Sequence, residues 1–186
     1  MTTTTTDFTT LTGTYALDVA HSRIGFVARH AMVTKVRGSF NEFEGTAVID
    51  GANPNNSSAT VKIQVASVDT RNAQRDGHLR TNDFFEAETY PEIKFVSTSI
   101  KHLGGYDFEV TGDLTIKDVT KSITFPLEFQ GSARDPFGND RIGFEGSVVV
   151  NRKDWGVNFN AALETGGVLV SEKVTLEFEI SAIKGA

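Results

Sequence analysis

The chain carries few of the side-chain groupings that do covalent or metal chemistry. Its four histidines, His21, His30, His78 and His102, show no HExxH motif and no i, i+4 pair, so no metal centre is expected from them. The sequence holds no cysteine, which excludes disulfides, thiolate metal sites, iron–sulfur ligation and a Cys nucleophile. It contains no GxSxG elbow, no P-loop and no GxGxxG after a strand. Carboxylates are numerous, with Asp and Glu totalling 24, but most fall on the polar side of an apolar–polar alternation. A general acid–base pair needs burial to shift its pKa values, so these are poor candidates. The expectation is a chain with no catalytic residues, no metal and no cofactor.

Two segments gather polar and aromatic residues outside the alternation. The first runs from Val68-Asp69-Thr70-Arg71 through Arg75-Asp76-Gly77-His78-Leu79-Arg80 to Asn82-Asp83-Phe84-Phe85. Asn72 is suited to cap a short helix reaching Arg80, although Gly77 in its middle weakens such a helix by about 1 kcal/mol. The segment reads either as a polar mouth over an apolar cavity or as a salt-bridged plug closing one end of the fold. The second is Asn151-Arg152-Lys153-Asp154-Trp155-Gly156-Val157, which holds the only Trp. That Trp either caps the bottom of the fold or touches a ligand.

The elements that must position these segments are strands. At 186 residues, 39% hydrophobic and 23% charged, the chain fits one domain with a sizeable core. A period of two dominates from Thr14 onward. Ile24, Phe26, Ala28 and His30 share one face. So do Tyr106, Phe108, Val110, Gly112, Leu114 and Ile116; Ile123, Phe125, Leu127 and Phe129; Ile142, Phe144, Gly146, Val148 and Val150; and Val174, Leu176, Phe178 and Ile180. Segments near 36–50, 59–67 and 92–101 fit less cleanly. Turn clusters at Gly51–Asn56, Leu103–Gly105 and Asp135–Asp140 separate them. About eight long strands joined by short turns predict an all-β fold, an eight-stranded antiparallel up-and-down barrel with a short helical lid. Pro126 inside a strand demands a bulge or seam in such a wall. Residues 1–12, a Thr-rich stretch, are expected to be a disordered tail, and residues 13–186 a single barrel domain.

The net charge of −6 argues against nucleic acid and anionic membrane surfaces as partners. No apolar run is long enough for a membrane helix, and stable membrane insertion is not expected. The amino terminus has neither a basic region nor an apolar stretch, which makes the cytoplasm the expected location.

Fourteen Phe residues must line something. The candidate ligand-contacting residues are Phe26, Ala28, His30, Phe43, Phe84, Phe85, Phe95, Phe108, Gly112, Phe125, Phe144, Gly146, Trp155 and Leu176. Gly112 and Gly146 lie on inward parity, where they either open space or let the strands bend.

Several strings together resemble the YceI-like family. They are Tyr15-Ala16-Leu17-Asp18 with His21-Ser22; Gly38-Ser39-Phe40 with Phe43-Glu44-Gly45; Ser67-Val68-Asp69-Thr70 with Arg75-Asp76-Gly77-His78-Leu79-Arg80; Tyr90-Pro91-Glu92-Ile93-Lys94-Phe95; Gly112-Asp113-Leu114-Thr115-Ile116; and Asn151-Arg152-Lys153-Asp154-Trp155-Gly156. The resemblance spans roughly Gly13 to Lys184. It implies a lipocalin-like barrel that binds, carries or stores a long apolar ligand, a polyisoprenoid or fatty-acyl lipid, without catalysis, and it suggests a homodimer. Arg71, Arg75, His78 and Arg80 would then stand at the mouth, with Arg75, His78 and Arg80 the head-group candidates. Two other functions remain open on the residues alone. One is an enzyme in the same cavity using His30; the other is a filled-core structural protein.

Overall fold

A computed structural model of the chain describes residues 7–164 and 166–185. Eleven strand segments are present among them: β1 (Gly13–Leu17), β2 (Arg23–His30), β3 (Thr34–Phe40), β4 (Phe43–Ile49), β5 (Ser58–Gln64), β6 (Val68–Asp69), β7 (Glu92–Gly104), β8 (Asp107–Ile116), β9 (Val119–Arg134), β10 (Asp140–Asn151) and β11 (Lys173–Lys184). They form a closed wall of eight antiparallel staves, because three staves are each broken in two. β1 and β2 flank a 3₁₀ turn at Val19–His21, β3 and β4 meet at Asn41 and Glu42, and β5 and β6 flank a 3₁₀ turn at Val65–Ser67. β11 closes the ring. It pairs with β10 along its whole length, with β2 at Thr175–Glu179 and with β1 at Ala182–Lys184.

Each break shifts the inward parity. Ile24, Phe26 and Ala28 face the lumen on even numbers, whereas Leu17, Ala47, Ile49, Ala59, Val61 and Ile63 do so on odd ones. A bulge between Ser97 and Ser99 does the same to β7, so that Phe95 and Ile100 both face inward. This explains why 36–50, 59–67 and 92–101 alternate poorly in sequence.

Pro126 lies at a seam. β9 and β10 pair from Arg134 and Asp140 down to Leu127 and Gly146, where the pairing ends. From Pro126 to Val119 β9 keeps only its β8 partner, so the missing N–H costs no ladder bond toward β10. The 3₁₀ turn Arg152–Trp155 folds back against β9 there. Trp155 is buried and donates its indole N–H to the Leu114 carbonyl at 2.9 Å.

The start of the chain corrects the expected boundary. Residues 1–6 lie outside the described residues, but Asp7 to Thr12 are built into the fold. Asp7 accepts from the Thr9 amide and hydroxyl, Thr9–Leu11 form a 3₁₀ turn, and Phe8 is only 6% exposed. Its ring stands 5.2 to 5.5 Å from those of His102, Phe108 and Phe129. The Tyr15 hydroxyl donates to the Leu11 carbonyl at 2.9 Å. A Thr-rich composition hid a single aromatic anchor that orders the segment.

The core falls into two clusters. Phe8, Tyr15, Phe108, Phe129, Ile142 and Ala182 fill one region. Ile24, Phe40, Phe43, Ile63, Val65, Val68, Ile93, Leu114 and Trp155 fill the other.

Two expected outcomes follow for stability. Phe8→Ala empties a fully enclosed aromatic site and should cost about 3–5 kcal/mol in denaturant unfolding; a loss near zero would mean the segment is not anchored. Arg141 joins Asp18 (2.6 Å) to Asp135 (2.7 Å), and these contacts hold both carboxyls below the usual range. Carboxyls with lowered folded pKa values stabilise fully above their unfolded value of about 3.9, and the contribution fades as pH falls below it. Arg141→Gln should therefore lose more stability at neutral pH than at pH about 3. Equal losses at both would remove the pairing as the cause.

Candidate functional site

A cavity of about 320 Å³ lies inside the barrel, between and partly within the two core clusters. Its wall is apolar nearly throughout and comes from all eight staves together with the lid. At this volume it stands near the lower end of small-molecule sites, which run from about 300 to 1,000 Å³.

Ten of the fourteen expected contact residues line it: Phe26, Ala28, Phe84, Phe85, Phe95, Phe108, Phe125, Phe144, Trp155 and Leu176. Aromatic pairs stiffen this wall, with Phe95 and Phe178 each about 5 to 6 Å from Phe125, and Phe129 5.5 Å from Phe144.

Four do not line it. His30 has the right parity but is exposed: β2 has run past its pairing with β11, and His30 pairs with Thr34 of β3 on one side and bridges to Val170 on the other. Phe43 is buried in the core cluster at the Trp155 end without reaching the cavity. Gly112 opens no space, since the Phe95 ring lies directly over it where a Cβ would project. At Gly146 a Cβ would meet the Pro126 carbonyl at 2.7 Å, so this glycine lets β9 and β10 approach where their pairing ends. Both glycines accommodate wall atoms, so neither of the two expected roles, opening or bending, describes them fully.

Residues that parity did not single out shape the lumen. Ala47 and Ala59 are direct cross-strand partners on β4 and β5, and both face the cavity. Two small side chains opposite each other leave width where other staves carry Phe. Arg152 is the one ionisable side chain on the wall among the described residues, at 7% exposure. Its guanidinium is turned onto three backbone carbonyls, those of Val157 (2.7 Å), Ser171 (2.8 Å) and Val170 (3.3 Å). Burial pushes its pKa down, but a guanidinium starts so high that it stays charged. Its polar face secures the 156–171 loop, and its stem serves the wall.

The lid is α1 (Ala73–Leu79), capped by the Asn72 side chain on the Arg75 amide at 2.9 Å. Leu79, Phe84 and Phe85 face the lumen from it and the turn that follows. Buried Asp76 accepts from the amide and hydroxyl of Thr70. The head-group candidates are engaged elsewhere. Arg75 donates to the Thr70 hydroxyl (2.7 Å) and carbonyl (2.6 Å), and Arg80 to the Ala66 carbonyl at 3.1 Å. His78 contacts Asp83 at 2.8 Å and meets the Phe84 and Phe159 rings edge-on. None of the three lines the cavity, and Arg71 is exposed. The geometry is that of a clip between the lid and the β5–β6 break.

The comparisons agree with this architecture. The chain is 38% identical over 169 residues to UPF0312 proteins of Staphylococcus aureus, covering 90% of this chain and 95% of theirs. It is 41% identical over 155 residues to a UPF0312 protein of Photorhabdus laumondii, covering 82% and 79%. Among solved structures, BcnA of Burkholderia cenocepacia superposes with a TM-score of 0.78 at 28% identity, covering 89% of this chain and 98% of that one. The YCEI protein of Campylobacter jejuni gives 0.74 at 28%, covering 85% and 90%. A polyisoprenoid binding domain from Saccharophagus degradans shares the fold at 19% identity and a TM-score of 0.69, covering 92% and 98%. The family model described as YceI-like domain matches residues 15–182, so the closed barrel, its lid and its Trp-bearing turn are those of a member of the YceI-like family.

Proposed function

We propose that the protein binds and carries one long apolar chain, polyisoprenoid or fatty-acyl, inside the barrel without transforming it. The observation that carries this reading is the almost wholly apolar cavity inside the barrel, walled largely by Phe side chains. Burying about ten methylenes there gains about 8 kcal/mol before the costs of ordering the ligand. A wall with so few polar atoms gives a reacting group nothing to orient it, and the guanidinium of Arg152 is already committed to three carbonyls. The cavity volume suits a single slender chain. A polar end of such a ligand finds no partner deep in the lumen and belongs outside it. Membership in the YceI-like family supports the same ligand class, as the sequence resemblance implies.

The lumen is tested where two alanines face each other on its wall. Ala59→Phe should fold, because the added ring enters existing space, and should then exclude the ligand. Thermal unfolding of delipidated wild type should rise on addition of a long isoprenol or a long-chain fatty acid. At a hundredfold excess over the dissociation constant the gain is about 2.7 kcal/mol. The isoprenol and the fatty acid, assayed separately, distinguish the two ligand sources. No rise with either would defeat the carrier reading, and a rise that persists undiminished in Ala59→Phe would put the ligand elsewhere.

The lid cations are tested apart from the lumen. Arg80→Ala removes a clip to the Ala66 carbonyl, so melting temperature should fall while affinity for a neutral isoprenol stays constant. A variant with unchanged stability and weakened fatty-acid binding would restore Arg80 to a head-group role.

A further inference from the structure

The β2–β3 hairpin is unlike the rest of the molecule. Between Asp18 and Glu42 the chain has no carboxylate but carries Arg23, Arg29, Lys35 and Arg37, in a protein whose net charge is −6. Arg23 is paired with Glu177 at 3.0 Å. Arg29, Lys35 and Arg37 are exposed and form no ion pair among the described residues. Arg29 and Lys35 are direct cross-strand partners, with Arg37 two residues further along the same face. Like charges placed opposite each other in a hairpin repel, and a bound anion relieves them. On the neighbouring loop, Glu172 is taken by Lys153 at 2.8 Å, and Glu164 is the other carboxylate.

The apex beyond these cations is apolar and exposed. Met32 is 58% and Val33 76% accessible, and Val168 of the adjoining loop is exposed as well. The Met32 sulfur rests over Gly167, which joins hairpin and loop into one tip. Ala31 and Met32 both have positive φ, +51° and +66°, and the Val33 amide bonds to the His30 carbonyl. A tight hairpin of this kind favours Asn-Gly, and residues with a Cβ adopt it only at a cost. The sequence thus holds two unsuitable residues in the turn of the hairpin, one of them a large, exposed apolar side chain. Strain kept in this way points to function.

We infer that this hairpin is a peripheral docking device for an anionic lipid bilayer: Met32 and Val33 enter the interface while Arg29, Lys35 and Arg37 meet the lipid phosphates. The local charge reverses what the net charge implies about membranes. The tip is two to four residues from the wall, since Ala28 of β2 and Val170 of the partnering loop both line the cavity. Docking there brings the lumen to the membrane, a step beyond the carrier reading. Attachment through a few cations and two apolar side chains is reversible and salt-sensitive, unlike insertion.

The experiment is vesicle co-sedimentation of delipidated protein, using vesicles of phosphatidylcholine alone and vesicles containing phosphatidylglycerol. Wild type should pellet with the anionic vesicles only and be released by salt. Lys35→Glu with Arg37→Glu should weaken binding by about tenfold or more. Met32→Gly is the decisive variant, because relieving the turn should raise the melting temperature while vesicle binding falls. Equal binding to neutral and anionic vesicles, or no binding to either, would overturn the inference. So would wild-type binding by both variants. Dimerisation in sedimentation velocity that Met32→Gly abolishes, without vesicle binding, would instead make the tip a contact between copies and overturn it equally. Vesicle binding is read without any lumen ligand, so it stands or falls separately from the ligand-induced thermal shift.

Discussion

Closure of the barrel through β11 is the constraint on which everything else in the molecule rests. One strand must satisfy three partners: β10 along its length, β2 through its first half and β1 through its last residues. It does so because the first stave breaks at Asp18–Ser22, and Ser181 serves the break. The Ser181 carbonyl accepts from the Asp18 amide (2.8 Å) and the Ser22 hydroxyl (3.1 Å), and its amide donates back to that hydroxyl at 2.9 Å. Without the break, β1 and β2 would keep one parity, and Tyr15 and Ile24 would fall on opposite faces. With it both are buried, and the sheet has no edge at this stave.

How much of this was legible in the sequence depended on whether a stave was continuous. β8, β9, β10 and β11 run unbroken for ten residues or more, and their apolar faces were read on the correct parity. The interrupted staves alternated poorly because each break moves the inward set between even and odd numbers. Pro126 was a legible signal of a different sort: proline cannot sit in a doubly paired strand, and the wall does open beside it. The helix was readable from Asn72, whose cap is a local bond. His30, Gly112 and Gly146 misled because parity states which way a side chain points and not what it meets there. His30 points inward beyond the end of the wall, Gly112 points at a ring, and Gly146 at a carbonyl. Phe8 belongs to no alternating face, and the Trp155 segment alone does not show what Arg152 holds, for the complementary reason: Phe129 and the Ser171 carbonyl lie far along the chain, and no local pattern records them.

The cavity is a consequence of where bulk is placed. Phe8, Phe108 and Phe129 meet in one cluster, and Phe40, Phe43 and Trp155 belong to the other. Beside the first cluster the β4–β5 wall carries Ala47 opposite Ala59. An eight-stranded barrel has an interior that side chains can just fill, so small residues facing one another on one wall are enough to leave room. The Phe95 ring laid over Gly112 acts in the same direction, since it lies flat against its own wall instead of crossing the lumen. Fourteen Phe residues therefore do not imply a filled core. Eleven of them, arranged at the ends and along the sides, line a space, whereas Phe137 is exposed on a loop.

Cations in this protein divide by what they face, and that division separates structure from recognition. Arg152 is buried, yet three carbonyls take up its donors, and a polar group so satisfied holds a loop in place. Arg75 and Arg80 are likewise bonded to carbonyls at the lid, and Arg141 is shared between two carboxylates. Each of these arginines is neutralised or hydrogen-bonded within the fold, where an unmet charge would be costly. Arg29, Lys35 and Arg37 are not. They stand together on one hairpin face, with an apolar tip above them and no carboxylate within their own stretch of chain. The fold satisfies Arg75, Arg80, Arg141 and Arg152 internally, and leaves these three, gathered on one hairpin face, for something outside it.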